Sequence, residues 1–298
     1  MSALDLKAYL ESRRETVDAA LDRVLPPEDA PPSTVHRAMR YSVLAGGKRL
    51  RPILVIAGAE AVGGRPDQVM ETACALELIH TYSLIHDDLP AMDDDDYRRG
   101  RLTNHKVFGD AIAILAGDAL LTLAFRLIAE NAARVADASV VCHVIAQVAD
   151  AAGTSGMVAG QVVDIESEGK TITADTLDFI HTHKTAALIR VAMLAGATLA
   201  GARPDAVTRI GEAGQRLGLA FQIVDDILDV EGTLAELGKT AGSDERKKKV
   251  TYPAYHGIEA SRRRARELIA EAKAALAPLG PPTEPLRALA DYVLERRN

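Results

Sequence analysis

Helix-period hydrophobicity runs through this chain almost from end to end, and it limits the fold more than any single motif does. Apolar residues recur at three- and four-residue spacings in segment after segment, the pattern of helices with a buried face. No convincing hairpin signal interrupts them. Ala and Leu abound, aromatic residues make up 4% and Trp is absent. Helices favour Ala and Leu, whereas strands draw on aromatic and β-branched residues. Hydrophobic residues are 48% of the 298, ample for a core. No fixed-period repeat or domain boundary appears. The chain reads as one all-α domain spanning 1–298.

Proline and glycine punctuate that reading. A first helix spans Leu4 to Leu25 and stops at Pro26-Pro27. After the Pro26–Pro32 linker, Ser33 or Thr34 can cap the next helix. Pro52 fits the first turn of a helix running to Gly63-Gly64. Pro66 starts another that reaches the first acidic cluster. Gly109 to Asn131 is long and apolar, Asp137 caps a helix ending near Ala152, and further helices cover 155–168, 174–202 (with a break near Lys184) and 204–230. Glu231–Thr251 reads as loop, and helices at 258–278 and 284–297 close the chain.

Net charge is −7, which argues against general nucleic-acid binding. The two cysteines, Cys74 and Cys142, lie in apolar helical runs and read as buried free thiols of a reducing compartment. The start, MSALDLKAYLESRRET, lacks the apolar core of a signal peptide. Uncharged runs such as Ala111–Gly117 and Val191–Ala202 fall short of the roughly 20 residues that span a bilayer. A soluble, cytoplasmic protein is expected.

Two acidic clusters sit about 135 residues apart. The first is Asp87-Asp88-Leu89-Pro90-Ala91-Met92-Asp93, then Asp94 to Asp96; the second is Asp225-Asp226-Ile227-Leu228-Asp229. Carboxylates at the edge of apolar sequence are costly unless a positive charge compensates them. Facing each other, the clusters suit Mg²⁺, which takes one or two carboxylates, waters and substrate phosphates. On a helix Asp225 and Asp229 are about 40° apart and share a face; a solvated face is the alternative. Asp87 and Asp93 are about 240° apart on a straight helix, so the metal reading requires a bend near Pro90. The calcium-loop pattern is missing.

Cations form the third element. Gly46-Gly47-Lys48-Arg49-Leu50-Arg51 joins glycines to basic residues at a helix start, a favourable setting for anions. Arg98 and Arg99 follow the first acidic cluster, Lys184 stands in apolar sequence, and Lys239 and Lys247, Lys248 and Lys249 follow the second. A solvated loop is the plainer reading of the lysine run. His80, seven residues before Asp87, is about 20° from it around a helix; by itself it reads equally as a packed residue. No Ser-His-Asp, Cys-His or zinc spacing stands out.

Together these segments resemble the trans-prenyltransferase (polyprenyl diphosphate synthase) family, most of all its bacterial farnesyl diphosphate synthases. The resemblance runs from about Thr34 to the C-terminus through GGKRLRP, HTYSLIHDDLPAMDDDDYRRG, GDALL, GMVAGQVVD, HKTAALI, FQIVDDILD, GK and TYP, in order. It implies a fold of about ten core helices around a deep central cavity, and a homodimer. It implies three Mg²⁺ ions per site, with Mn²⁺ the other candidate. Asp87 and Asp93 would hold metal with Asp88 in support, and Asp225 would do so from the opposite wall, with Asp226 and Asp229 acting directly or through water. Arg98, Lys184 and Lys239 would grip the allylic diphosphate. Gly47, Lys48, Arg51, His80 and Arg99 would bind isopentenyl diphosphate. Thr185 and Gln222 would lie near the reacting carbons, Gln161 and Asp164 would line the cavity, and Phe221 would pack on the homoallylic substrate.

The implied reaction is ionisation of the allylic diphosphate, attack by isopentenyl diphosphate and proton loss to the released pyrophosphate. Tyr82 and Ser83, five and four residues before Asp87, would meet the growing tail. A bulky ring at 82 accompanies the farnesyl type and would stop growth at C15. The rivals are a geranylgeranyl diphosphate synthase, a terpene cyclase, disfavoured by the second Asp-rich motif and by Lys48–Arg51, and a non-catalytic partner subunit, disfavoured by the intact acidic motifs.

Overall fold

The computed structural model describes residues 4–231 and 251–296. Helices make up most of it, as the periodicity requires. They are α1 (Leu6–Val24), α2 (Ser33–Val43), α3 (Leu50–Glu60), α4 (Met70–Asp87), α5 (Asn104–Phe108), α6 (Asp110–Glu130), α7 (Ala138–Ala152), α8 (Met157–Ser167) and α9 (Ala174–Ile180). There follow α10 (Ala187–Leu199), α11 (Pro204–Glu231), α12 (Tyr252–His256), α13 (Ile258–Leu276) and α14 (Glu284–Glu295). Capping is local. Asp5, Asp137, Thr173 and Thr251 each accept a backbone N–H at the start of a helix, which satisfies donors that the helix leaves unpaired. Neither Ser33 nor Thr34 does so, because α2 already begins at Ser33, behind Pro32.

Apolar content decides which helices lie innermost. Residues 52–59 of α3 are buried without a break, and α10 is buried on nearly all sides, as expected of helices apolar all round. α10 packs on α3, α4, α7 and α11, α4 lies along α6, and α11 lies along α13. By length and composition the stretch Asp110–Ala133 could cross a membrane; in the fold α6 packs on α2, α4 and α5. Buried Arg49, in the left-handed region at φ 51°, ties four elements together at the start of α3. It donates to Asp18 of α1 (2.7 Å), Glu77 of α4 (2.8 Å) and the carbonyl of Val43 in α2 (2.7 Å).

Three expectations change. A two-stranded ribbon, β1 (Tyr97–Arg98) and β2 (Arg101–Leu102), follows the first acidic cluster. Two-residue strands carry no periodicity, so only the turn betrays them: Arg99 and Gly100 both have positive φ, the geometry of a tight hairpin turn. Near Lys184 the chain is not broken but underwound into a wider π-helical turn, His181–Ala186, that joins α9 to α10. Cys74 is buried, and burial pushes its thiol up to about 12, whereas Cys142 is exposed on the outer face of α7.

Candidate active site

The site is built around a basic centre. Gly46 and Gly47 take positive φ and lead into α3, whose first turn carries Arg51. The guanidinium of Arg99, from the ribbon turn, lies over Gly47 where a side chain would otherwise stand, 2.7 Å from the place of a Cβ, and donates to the carbonyl of Gly46. His80 projects into the same group from α4. Burial and the field of Arg51, Arg99 and Arg98 hold its pKa well below the ordinary value, so the imidazole is neutral. Burial also lowers Arg51 to about 10, although Glu77 and Asp225 pull the other way. Lys48 is lowered by desolvation and by Arg296, against the pull of Asp225. Arg51, His80 and Arg99 thus converge from three separate segments, and Lys48, beside Asp225 and Arg296, stands at the helix start that carries Arg51, a cluster of positive charge that favours an anion.

One acidic wall rises from the C-terminus of α4. The bend that the sequence required is present. Beyond Asp87 the chain doubles back, so that Asp93 N–H reaches Asp87 O (2.8 Å) and Asp95 N–H reaches Asp88 O (3.2 Å). Asp94 takes positive φ in this turn. Asp93 therefore returns beside Asp87 instead of facing away from it. Asp88 is 3% exposed and accepts from Arg98 (Nε 2.7 Å, Nη2 2.5 Å). Burial raises the Asp88 pKa against the pull of Arg98, and Asp88 lifts Arg98 despite its own burial. Arg98 is consequently aimed by Asp88.

The other wall is the face that α8, the π turn and α11 share. Lys184 donates to Asp164 of α8 (2.6 Å). Gly160 permits that approach, for a Cβ there would stand 2.2 Å from the Lys184 nitrogen. Gln161, half-buried, lies one turn before Asp164. Thr185 donates to Gln222 (2.7 Å) and Gln222 to Asp226 (2.8 Å). Asp226 also accepts from the Tyr252 N–H (2.7 Å) and lies 3.3 Å from His181, whose ring stacks on Tyr252. Asp225 and Phe221 share the next face of α11 and are both engaged by Arg296. That guanidinium is 2.8 Å from Asp225, donates to the carbonyl of Phe221 (2.6 Å) and lies 3.8 Å above the Phe221 ring. Asp229 is buried on the same helix. The basic centre adjoins both acidic walls: Arg51 feels Asp225 of one, and Arg98, paired with Asp88 of the other, acts on His80.

Sequence reasoning missed Arg296, since a charged residue after a terminal helix reads as a solvated tail. It also missed His181, which offers no spacing signal. Lys239, Lys247, Lys248 and Lys249 lie outside the described residues.

The donors on both walls are carboxylate oxygens, the chemistry of a hard cation. Among the described residues no three acidic, His or Cys side chains converge on one point. Such walls fit an ion that takes one or two ligands from Asp87 and Asp93 and completes its shell with phosphate oxygens and water.

Tyr82 is 8% exposed and lies edge to face with His86, ring centroids 5.7 Å apart. Ser83 donates to the His80 carbonyl (2.9 Å), and shares the face of α4 with Asp87.

Comparison with known proteins agrees with this architecture. A family described as polyprenyl synthetase matches residues 32–277. A geranylgeranyl diphosphate synthase of Cyanophora paradoxa is 48% identical over 99% of this chain and 97% of its own length. A farnesyl diphosphate synthase of Geobacillus stearothermophilus is 49% identical over 85% of each. The structure of an FPP/GFPP synthase from Zymomonas mobilis superposes with a TM-score of 0.88 at 36% identity, over 97% of this chain and 99% of that one. With both acidic walls and the basic centre in place across the matched span, the chain belongs to the polyprenyl synthetase family.

Proposed function

We propose that this prenyl diphosphate synthase condenses isopentenyl diphosphate head to tail, first with dimethylallyl and then with geranyl diphosphate, and releases (2E,6E)-farnesyl diphosphate as a homodimer. The observation that carries the reading is the basic centre adjoining two acidic walls, which suits two diphosphates bound side by side. Lys48, Arg51 and Arg99 neutralise the diphosphate of isopentenyl diphosphate, and neutral His80 donates one N–H to it. Arg98 and Lys184, aimed by Asp88 and Asp164, hold the allylic diphosphate, with Lys239 as a third cation. Mg²⁺, three ions with Mn²⁺ the alternative, would be held by Asp87, Asp93, Asp225 and Asp229, and when bound supplies Lewis-acid neutralisation of the leaving group.

Charge pre-arranged around a leaving diphosphate is strong electrostatic catalysis. Thr185 and Gln222, locked by Asp226, face the reacting carbons with oxygen dipoles that stabilise the allylic cation, and Phe221 walls off the homoallylic chain from water. No protein nucleophile is needed, and the departing pyrophosphate accepts the proton. Tyr82, held beside α6, supports a floor at C15. The name of the Cyanophora relative favours a second reading, a C20 product.

Product sizing tests both. Purified protein receives isopentenyl diphosphate with dimethylallyl or geranyl diphosphate, with and without Mg²⁺, and the dephosphorylated alcohols are sized. Mg²⁺-dependent C15 from both starters is expected, and Tyr82→Ala shifts it toward C20. Mainly C20 from the unaltered protein would overturn the length reading. No condensation by folded protein would revive the partner-subunit reading.

A further inference from the structure

We propose that His86, seated on Gly117, fixes the ring of Tyr82 and is thereby a positioning residue for product length; the proposal rests on Tyr82 being the floor. His86 is the last residue before the acidic wall. Its Nε2–H donates across to α6, 3.1 Å from the carbonyl of Ile114. The imidazole fills space that α6 leaves open only because residue 117 is glycine: a Cβ there would stand 2.1 Å from Nε2, 2.6 Å from Cδ2 and 2.8 Å from Cε1. No real Cβ tolerates such distances. One turn back on α4, Tyr82 meets this ring edge to face at 79°. Residues four apart share a face of a helix, so the position of one ring sets that of the other. The line of support runs from Gly117 through His86 to Tyr82, and neither of the first two needs to touch substrate.

Gly117→Ala should be well tolerated by the fold. The atoms in its way are the far end of a side chain, which can swing aside while the backbone stays. With His86 displaced from the Ile114 carbonyl, Tyr82 loses its edge-to-face partner and its ring gains room to yield to a longer tail. Edge-to-face pairs are worth enough to change the ratio of C20 to C15 by about two- to tenfold. His86→Ala reaches the same end without a clash. His86→Phe keeps a ring against Tyr82 and restores C15.

The experiment sizes the products of Tyr82→Ala, Gly117→Ala, His86→Ala, His86→Phe and the double variant Tyr82→Ala/Gly117→Ala, with KM for isopentenyl diphosphate and Tm recorded for each. The expected result is a raised C20 fraction in Gly117→Ala and His86→Ala at unchanged KM, and a double variant no longer in product than Tyr82→Ala alone. If Tyr82→Ala lengthens the product while Gly117→Ala and His86→Ala stay at C15, the positioning role is wrong and the floor stands. If Tyr82→Ala itself changes nothing, the floor fails and takes this inference with it. Should Gly117→Ala not fold, His86→Ala decides.

Discussion

Replacing Gly160 with alanine sets a methyl 2.2 Å from the backbone nitrogen of Lys184, 2.7 Å from its Cα and 2.8 Å from its Cβ. The obstacle is backbone, so no rotamer relieves it. Ordinary contact begins at 3.4 Å, and α8 must therefore withdraw from the π turn by about 1.2 Å. The helix carries Gln161 and Asp164, and Asp164 holds Lys184 at 2.6 Å. A retreat of that size stretches the pair beyond hydrogen-bond range and unaims the cation proposed to grip the leaving diphosphate. Misplacement by roughly 1 Å can cost about 100-fold in rate, or about 2.7 kcal/mol of transition-state stabilisation. Stability is affected less. Overpacking costs about 1–3 kcal/mol, and the better helix propensity of alanine returns up to about 1 kcal/mol. Gly160→Ala should thus lose about two orders of magnitude in kcat for C–C bond formation while melting only a few degrees lower. Steady-state and single-turnover condensation of geranyl with isopentenyl diphosphate, beside a thermal melt, measures both. A kcat within about threefold of the unaltered enzyme would refute the claim that Gly160 sets the aim of Lys184.

Other consequences follow from buried charge. Glu77, 2% exposed, pairs with Arg49, whose side chain is 1% exposed. Glu77→Gln leaves Arg49 only the more exposed carboxylate of Asp18 as a charged partner and should cost about 2 kcal/mol in a urea titration; a loss under about 0.5 kcal/mol contradicts the weight given to the buried pair. His80 has a folded pKa depressed below its unfolded value. Below about pH 6.5 the unfolded chain binds a proton that the folded one refuses, so stability falls with pH by up to about 1.4 kcal/mol per unit. His80→Gln should flatten that slope, and an unchanged slope would deny that His80 is held neutral. Arg296→Ala removes a charge-assisted bond and a cation–π contact at Phe221 and should destabilise by about 2 kcal/mol. It should also raise KM for isopentenyl diphosphate, and an unaltered KM would separate Arg296 from the site.

Much of this was legible because helices announce themselves locally. The apolar spacing of α4, α6 and α11 and the stops at Pro26 and Gly63 need no tertiary information. The site was legible in its charges but not in its pairings. Nothing in the spacing of Asp87 and Asp93 shows that the chain doubles back; the backbone bond between them forms because Pro90 ends the helix and Asp94 accepts positive φ. The π turn was hidden for a different reason. Residues 181–186 have ordinary helical sequence, and the extra residue in the turn lets Lys184 and Thr185 point at Asp164 and Gln222. Such π-bulges gather at functional sites. Arg296 was invisible because its partners, Asp225 and Phe221, are about 70 residues away in sequence.

The pairings also argue against treating the six acids as equivalent. Asp88 is spent on Arg98, and Asp226 on Gln222, the Tyr252 N–H and His181. Both are almost fully buried, where an unpaired carboxylate would be costly. In each Asp-Asp pair the second residue therefore acts as a post that aims a neighbour, Arg98 on one wall and Gln222 on the other. The first residue, Asp87 or Asp225, stands on the more open face. Asp225, 48% exposed, is the acid better placed to exchange its partner Arg296 for a cation when a diphosphate arrives. It follows that Asp88→Asn and Asp226→Asn should fail differently from Asp225→Asn. The former pair should lose kcat with little change in the Mg²⁺ concentration at half-maximal rate, because they misaim organic groups. Asp225→Asn should raise that concentration. Equal Mg²⁺ dependence across the three variants would show that the burial and pairing of Asp88 and Asp226 do not divide their work from that of Asp225.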